Sequence, residues 1–245
     1  MSRSTFAPRL VLVACLMLGS SSAEASHFTT ITIDGLFGDW AGVPVVDSDP
    51  ADNTGGPDIG DTQIANDDQY LYIRNTFLNN LALSTYLAID VDQNLATGFD
   101  VLGQGVLGSE ATWQNDFGFS QATGQFNSGP LSGADFFGAG HALLAPFGNF
   151  GSRELAISLA NTNNGNQPTF PGNTIRLVFY TDSGTGADGI AVGQPRDQGI
   201  NGDITAVIEY TLAPRVVPEP GVLALLVAGA AGFIYRRRTS TSLVP

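Results

Sequence analysis

Three oxygen-bearing side chains follow a short apolar run at intervals of two residues. Asp90, Asp92 and Asn94 come at the end of the run Tyr86 to Val91. In an extended chain alternate side chains point to the same side, so these three oxygens should converge where the chain leaves its sheet. Calcium takes about six to eight oxygen ligands. The spacing predicts a calcium site, and a solvated turn rich in Asp and Asn is the alternative interpretation.

The predicted calcium loop is not an EF-hand. Leu95 stands where that motif needs glycine, and Val101 stands where it needs a bidentate glutamate. Further oxygens are expected from carbonyls near Thr97 and Gly98, and from Asp100 or a distant aspartate such as Asp61 if the fold brings one close. No nitrogen or sulfur ligand is near, which disfavours zinc.

Only two tryptophans, Trp40 and Trp113, offer a large aromatic face to a ligand. Sugar-binding proteins commonly stack such a face on a pyranose ring. Trp113 has alternating polar neighbours within 110–116 and is the candidate ligand-binding residue, with half-buried packing as the alternative. Trp40 follows Asp39 in a short motif and is expected to pack in the core.

The composition excludes several classes of function. The chain has 245 residues, a formal net charge of −13, ten basic residues that are all arginine, and a single cysteine, Cys15. An acidic protein repels nucleic acid, so no nucleic-acid partner is expected. Without lysine, a Gly-x-Ser-x-Gly elbow or histidines near carboxylates, no catalytic triad or zinc hydrolase site is visible. The chain is therefore interpreted as a protein that is not an enzyme.

The elements that would position these residues are short strands. Apolar and polar residues alternate in several runs separated by turns rich in Gly, Asn and Pro, which is typical of strands covered on one face. No helix of ten residues and no dividing linker is predicted between residues 26 and 214. The fold class is all-β, a single antiparallel β-sandwich of jelly-roll type. The predicted strands are Thr30 to Ile33, Tyr70 to Phe77, Tyr86 to Val91, Glu154 to Leu159, Thr174 to Thr181 and Ile204 to Leu212.

The first 25 residues have the layout of a secretory signal peptide. Arg3 and Arg9 precede an apolar run, and small residues lead to Ala25, after which signal peptidase is expected to cut. Cys15 also lies in a stretch that resembles a bacterial lipoprotein box, which is an alternative fate for this end. An exported domain at 26–214 would then lack cysteine, so disulfides and thiolate chemistry are not expected there.

The last thirty residues combine a short motif, an apolar span and a basic cluster. Pro218, Glu219 and Pro220 precede the span 221–235, and Arg236, Arg237 and Arg238 follow it. The span 221–235 is predicted as a short transmembrane helix; its fifteen apolar residues are slightly fewer than the roughly 17 to 25 of a stable one, and the arginines favour a cytoplasmic C-terminus.

This segment, 215–245, resembles the PEP-CTERM sorting segment of bacterial surface proteins. That resemblance implies recognition at Pro218 to Pro220 by exosortase, a membrane protease-transpeptidase of bacteria that secrete exopolysaccharide. It also implies at least transient anchoring in the inner membrane and delivery to the cell surface or the extracellular matrix.

Short motifs between Ile31 and Leu212 resemble the carbohydrate-binding module family 9-like and related DOMON-like sandwiches. The motifs are Ile33-Asp34-Gly35 with Asp39-Trp40, the run 66–74, the run 88–94 with Thr97-Gly98, and the run 153–158. The resemblance implies a jelly-roll sandwich, a frequent calcium requirement and, in some members, glycan binding.

These observations predict an exported surface or matrix protein that binds a glycan, with exopolysaccharide as a candidate partner. A structural protein without a small ligand is one alternative, and a glycan-active enzyme using two carboxylates is another.

Overall fold

The computed structural model describes residues 26–103, 105–133, 140–163, 166–181, 183 and 202–214. Strands and turns make up nearly all of this part of the chain, and its helices are two short 3-10 segments, η1 (Phe37–Gly42) and η2 (Val101–Gly103). The strands, numbered along the chain, are β1 (Val45–Ser48), β2 (Ile59–Asn66), β3 (Tyr70–Phe77), β4 (Thr85–Asp90), β5 (Phe99–Asp100), β6 (Gly108–Ser109), β7 (Ala111–Gln114), β8 (Phe117–Ala122), β9 (Gln125–Pro130), β10 (Ser132–Gly133), β11 (Leu143–Ala145), β12 (Ser152–Ser158), β13 (Asn161–Thr162), β14 (Thr174–Thr181) and β15 (Ile208–Thr211).

Two antiparallel sheets form the framework. The five-stranded sheet has the order β1-β2-β3-β12-β11, and the six-stranded sheet has the order β15-β14-β4-β7-β8-β9. The pairs β5-β6 and β10-β13 form small additional ladders. The chain passes between the large sheets several times, so neither sheet is formed by one continuous stretch of sequence.

The main core lies between the two sheets. Ile64 and Ile73 of the five-stranded sheet belong to one buried cluster with Leu87, Trp113 and Phe179 of the six-stranded sheet. Strands at such an interface send every second side chain inward, which accounts for the alternating apolar residues of β4 and β7. The fold class predicted from the sequence, an all-β antiparallel sandwich, is confirmed.

The N-terminal segment covers the outer face of the five-stranded sheet. Ile31, Trp40 and Val43 pack there against Tyr72 and Ala156. Trp40 is 1% exposed, and its indole N–H donates to Glu154 Oε2 at 2.8 Å. The other oxygen of that carboxylate, Oε1, accepts the backbone N–H groups of residues 34 and 35. The core role expected for Trp40 is confirmed.

Part of the outer face of the six-stranded sheet is also covered. Ala88 and Val178 form a buried cluster with Val101, Leu107 and Tyr180, against which Ile204 packs. Val101 and Leu107 belong to the segment that follows β4 and returns to β7. The sandwich therefore has apolar contacts on three levels, one between its sheets and one outside each sheet.

Several strand predictions are confirmed by the structure. β3 and β14 have the predicted ends, and β4 and β12 differ from their predicted bounds by one or two residues. These runs are long, alternate clearly and lie in the interior of a sheet, where packing on both sides supports the local pattern.

One strand prediction is wrong, and another is confirmed only in its second half. Thr30 to Ile33 joins no ladder, because it covers the outer face of the five-stranded sheet, where Ile31 is buried. In Ile204 to Leu212 only β15 is a strand, and Ile204 makes a single bridge to Tyr180. Thr205 is buried and Ala206 is exposed, so before β15 begins the burial of the side chains does not follow the alternation of apolar and polar residues.

Candidate functional site

Three carboxylates meet where β4 ends and β7 begins. One oxygen from each of Asp90, Asp92 and Glu110 lies within 4.8 Å of the other two. Asp90 is the last residue of β4, and the backbone N–H of Glu110 donates to the carbonyl of Ile89 at 3.1 Å. This strand pairing brings Glu110 beside Asp90 although twenty positions separate them in the sequence. We refer to Asp90, Asp92 and Glu110 as the acidic centre.

Backbone groups hold one side of each buried carboxylate in the acidic centre. Asp90 Oδ1 accepts the N–H of Gln93 at 2.6 Å, and Glu110 Oε2 accepts the N–H of Val91 at 3.0 Å. The remaining oxygens, Asp90 Oδ2 and Glu110 Oε1, are buried and have no hydrogen-bond partner. Each such oxygen has been removed from water without compensation, which is unfavourable unless a cation or ordered water binds there.

The loop after Asp92 closes against the segment that carries Glu110. Gly98 adopts a left-handed backbone (φ +65°), and a Cβ atom there would meet the carbonyl of Ser109 and come within 2.6 Å of Glu110 Oε1. The hydroxyl of Thr97 lies 3.0 Å from both carboxylate oxygens of Asp92. Glycine at position 98 is therefore required both for the backbone conformation and for the close approach to Glu110.

Burial and the closeness of other negative charges raise the pKa values of Glu110 and Asp90 in the acidic centre. Burial raises the pKa of Glu110 to about 7, and the charges of Asp92 and Asp90 add to the rise, against the opposing N–H of Val91. Burial also raises the pKa of Asp90, with a further contribution from Asp92. The arrangement holds negative charge at a place where the ionised forms are unfavourable without a compensating positive charge.

The chemistry of the acidic centre fits a hard divalent cation. All its donors are carboxylate oxygens, and two of them are buried without a partner. Oxygen donors of this kind suit calcium or magnesium, whereas zinc and copper favour sites with nitrogen or sulfur. Calcium tolerates an irregular shell better than magnesium does, and an exposed Asp92 leaves one side open for water ligands.

The predicted ligand set is only partly brought together. Asp90 and Asp92 lie in the acidic centre as expected, but Asn94 Oδ1 accepts the N–H of Ala96 at 3.1 Å within the loop, so its role as a ligand stays a prediction. Asp100 Oδ1 accepts the N–H of Gly105, and Asp61 Oδ1 accepts the hydroxyl of Ser48.

Glu110 was not identified by sequence reasoning. The available signal was its position just before the alternating run of β7: with Ala111 and Trp113 facing the core, Glu110 falls on the opposite side. What the alternation does not reveal is that β7 pairs with β4, with Ile89 opposite Ala111.

The assignment of Trp113 as a sugar-stacking residue is corrected by the structure. Trp113 is 0% exposed, packs in the main core beside Phe170, and donates its indole N–H to the carbonyl of Gly140 at 3.0 Å. A side chain enclosed in this way offers no face to a ligand. The polar neighbours Thr112 and Gln114 suggested an exposed position for Trp113. In the structure these two side chains face outward, and Trp113 between them faces the core.

A second group of carboxylates lies in another part of the sandwich. Asp49, Asp52 and Asp203 each place one oxygen within 4.8 Å of the others. Asp203 is fully buried, and its Oδ2 accepts the N–H of Ile59 at 2.5 Å. These aspartates take part in further interactions. Sequence patterns did not indicate this group, because Asp203 lies about 150 positions after Asp49 and Asp52.

The predicted sites at the two ends of the chain lie outside the described residues. They are the cleavage site at Ala25, the motif Pro218, Glu219 and Pro220, the span 221–235, and Arg236, Arg237 and Arg238. Among the residues that the structure describes, no helix has the length and apolar character needed to cross a membrane.

Comparison with known families identifies the C-terminal motif. Residues 216–238 match the family described as the PEP-CTERM protein-sorting motif. The chain therefore carries this sorting motif, as predicted, and the motif indicates an exported protein processed at the cell envelope. A search of curated proteins finds no match.

Among solved structures, two similar ones are of a carbohydrate-binding module of family 9 from Caldicellulosiruptor kristjanssonii. The complex with glucose is 11% identical to this chain, with a TM-score of 0.42, and the alignment covers 80% of this chain and 98% of the module. The complex with cellotriose is 13% identical, with a TM-score of 0.42 and coverage of 79% and 96%. At this level of similarity, statements about a ligand of this chain have to come from its own residues.

The raised pKa of Glu110 predicts how pH affects the metal-free protein. The carboxyl group of Glu110 binds its proton more tightly in the folded state than in the unfolded state, where its pKa is 4.5. Protonation of Glu110 therefore stabilises the folded state fully below about pH 4.5, and this contribution is lost as the pH rises through about 7. We expect the free energy of unfolding, measured with urea in the presence of a chelator, to fall over this interval. Glu110→Gln should flatten that fall.

Glu209→Gln is the matched control for this pH series. It removes one carboxylate from an exposed pair with Arg176 and changes the net charge by the same amount. If Glu110→Gln and Glu209→Gln alter the slope equally, the effect belongs to the overall charge of the protein, and the prediction for Glu110 is wrong.

Proposed function

We propose that this protein is an exported, non-enzymatic surface or matrix component whose sandwich binds a glycan and is stabilised by calcium. The observation that supports the proposal is the match of residues 216–238 to the sorting motif, which indicates an exported protein that is processed at the cell envelope. Exopolysaccharide is the candidate ligand, because the resemblance of the tail implies a bacterium that secretes it. Signal peptidase at Ala25 and exosortase at Pro218 to Pro220 are the proposed processing enzymes.

The role proposed for calcium is structural. Asp90, Asp92 and Glu110 would hold the ion, which would neutralise carboxylates that otherwise repel one another. It would thereby join the end of β4 to the start of β7 and fix the intervening loop. The loop contributes Val101 and Leu107 to the apolar cover of the six-stranded sheet, so metal binding and packing on that face are linked.

A purely structural role without a ligand is the second candidate function. The apolar contacts on both outer faces of the sandwich are consistent with a stable domain that serves as a spacer or matrix element. The two candidates differ in one measurable property, saturable binding of a polysaccharide.

Removal of calcium is expected to destabilise the protein. An ion bound only by the folded state adds about 2.7 kcal/mol at a hundredfold excess over its dissociation constant. A chelator should therefore lower the melting temperature, and calcium should restore it better than magnesium. Asp90→Asn combined with Glu110→Gln should abolish the response, while Glu209→Gln should retain it. A melting curve that is the same with and without chelator contradicts the metal site.

Binding of a polysaccharide tests the proposed activity. The full chain, purified in mild detergent, is titrated with purified polysaccharide from the producing organism, and binding is measured by calorimetry together with an assay for reducing ends. We expect saturable binding without release of reducing ends. Absence of binding would favour the structural role, and release of reducing ends would show a glycan-active enzyme instead.

Replacement of the sorting residues tests the proposed route. Changing Pro218, Glu219 and Pro220 to alanine should leave an unprocessed chain in the membrane fraction, because the processing enzyme no longer recognises its site. The measurement is the apparent mass and the cell fraction of the chain. Replacing Arg236, Arg237 and Arg238 separately tests orientation, which depends on cytoplasmic positive charge. Unchanged processing of the alanine variant would contradict the role of the motif.

A further inference from the structure

A row of side chains crosses the outer face of the six-stranded sheet. Tyr180 of β14 is directly opposite Tyr86 of β4, Tyr86 is opposite Gln114 of β7, and Gln114 is opposite Phe117 of β8. The residues that alternate with them, Leu87 and Trp113 among them, face the main core. The row therefore faces outward. We use the name outer row for three of its members, Tyr86, Gln114 and Phe117.

Aromatic side chains stand at both ends of the outer row: Tyr86, which stacks on Tyr180, and Phe117, which is exposed. The rings of Tyr86 and Tyr180 are stacked, with centroids 5.0 Å apart and an interplanar angle of 16°. Phe117 is 52% exposed, and its ring meets His141 edge-on at 4.2 Å. Both contacts hold the aromatic side chains in place, so less conformational freedom is lost when a ligand binds.

Gln114 lies between the two aromatic side chains and is partly exposed. None of the hydrogen bonds found among the described residues uses its side-chain amide. A primary amide has two donor hydrogens and an acceptor oxygen, so it can pair with neighbouring hydroxyl groups of a ligand. Its position on β7 is fixed by ladders on both sides.

The spacing of the outer row fits an extended sugar chain. Strands in a sheet are about 4.8 Å apart, so the backbones of β4 and β8, one on each side of β7, are separated by about 10 Å. That separation is comparable to the length of a disaccharide. Aromatic rings pack on the apolar faces of pyranose rings, and an amide between them meets the hydroxyl groups at the sugar edges.

The negative charge of the protein favours a neutral polysaccharide over an anionic one. The outer row has no charged member, the adjacent turn contains Asp116, and the whole chain has a net charge of −13. Among the arginines that the structure describes, Arg153 is buried, Arg74 donates to Gln63, and Arg176 pairs with Glu209. An anionic polysaccharide would be repelled by the net charge of the protein, and Arg176, the described arginine on this outer face, is already paired with Glu209.

We propose that the outer row is the glycan-contact surface and that its ligand is a neutral polysaccharide chain lying across β4, β7 and β8. The inference rests on the glycan-binding function proposed above and adds both a location and a ligand class. In this proposal Trp113, which faces the core, is not a ligand contact. The contacts are its outward-facing neighbour Gln114 and the two aromatic residues paired with Gln114 on the adjacent strands, Tyr86 and Phe117.

Single substitutions test the location. Phe117→Ala and Gln114→Leu, made in the full chain, should each weaken binding to hydroxyethylcellulose or galactomannan by about tenfold or more, as truncation of an anchor in an interface does. Phe147→Ala is the matched control because Phe147 is also an exposed phenylalanine, 65% exposed, on the hairpin between β11 and β12. It should bind like the unchanged protein. Melting temperatures establish that each variant is folded.

The outcomes separate the location from the function itself. If the unchanged protein binds and both outer-row variants bind equally well, the location is wrong while the glycan-binding function stands. If Phe147→Ala alone loses binding, the site is on the hairpin and the location is again wrong. Binding to alginate in preference to the neutral polymers overturns the ligand class. No binding to any of these polymers or to the producing organism's own polysaccharide overturns both proposals.

Discussion

The period-two alternation of β4 is the constraint on which the other features depend. Its inward side chains, Leu87 and Ile89, lie in the core between the sheets, and its outward side chains are Tyr86, Ala88 and Asp90. One strand thus supplies an aromatic member of the outer row, a residue under the apolar cover and a carboxylate of the acidic centre. A shift of one residue in its register would bury the charge of Asp90 in the core and expose Leu87 and Ile89.

The acidic centre and the outer row lie at opposite ends of this strand. Four residues separate Tyr86 from Asp90, which corresponds to about 13 Å along a strand. Between them, Ala88 is covered by Val101 and Leu107, which belong to the segment between Asp92 and Glu110 of the acidic centre. Tyr86 itself stacks on Tyr180 and packs against the same apolar cluster, so this cluster connects the two ends of β4.

Sequence patterns were informative where both neighbours of a strand reinforced its alternation. β3 and β14, which lie inside their sheets, were predicted with their observed ends. The segment Thr30 to Ile33 has the same alternation, but it covers a sheet instead of joining one, and local pattern does not distinguish these cases. Trp113 shows the same limit in another form: the alternation of polar residues around it was recognised, whereas the choice of inner and outer face depended on the partner sheet.

Sites assembled from distant residues were the least predictable. Asp90 and Asp92 were found because they are neighbours, but Glu110 joins them only through the pairing of β4 with β7. Tyr86, Gln114 and Phe117 are likewise neighbours only across strands. Antiparallel register is set by turn geometry and long-range packing, and a single sequence contains little information about either.

The bond between Trp40 and Glu154 also has a consequence for the order of folding. The indole N–H of Trp40 and the N–H groups of Asp34 and Gly35 all reach one carboxylate that is 114 to 120 positions later in the chain. Closing so long a loop costs chain entropy before any contact is gained, and contacts of this kind slow folding. The segment around Trp40 therefore lacks the partner of its three N–H donors until Glu154 of β12 has reached it.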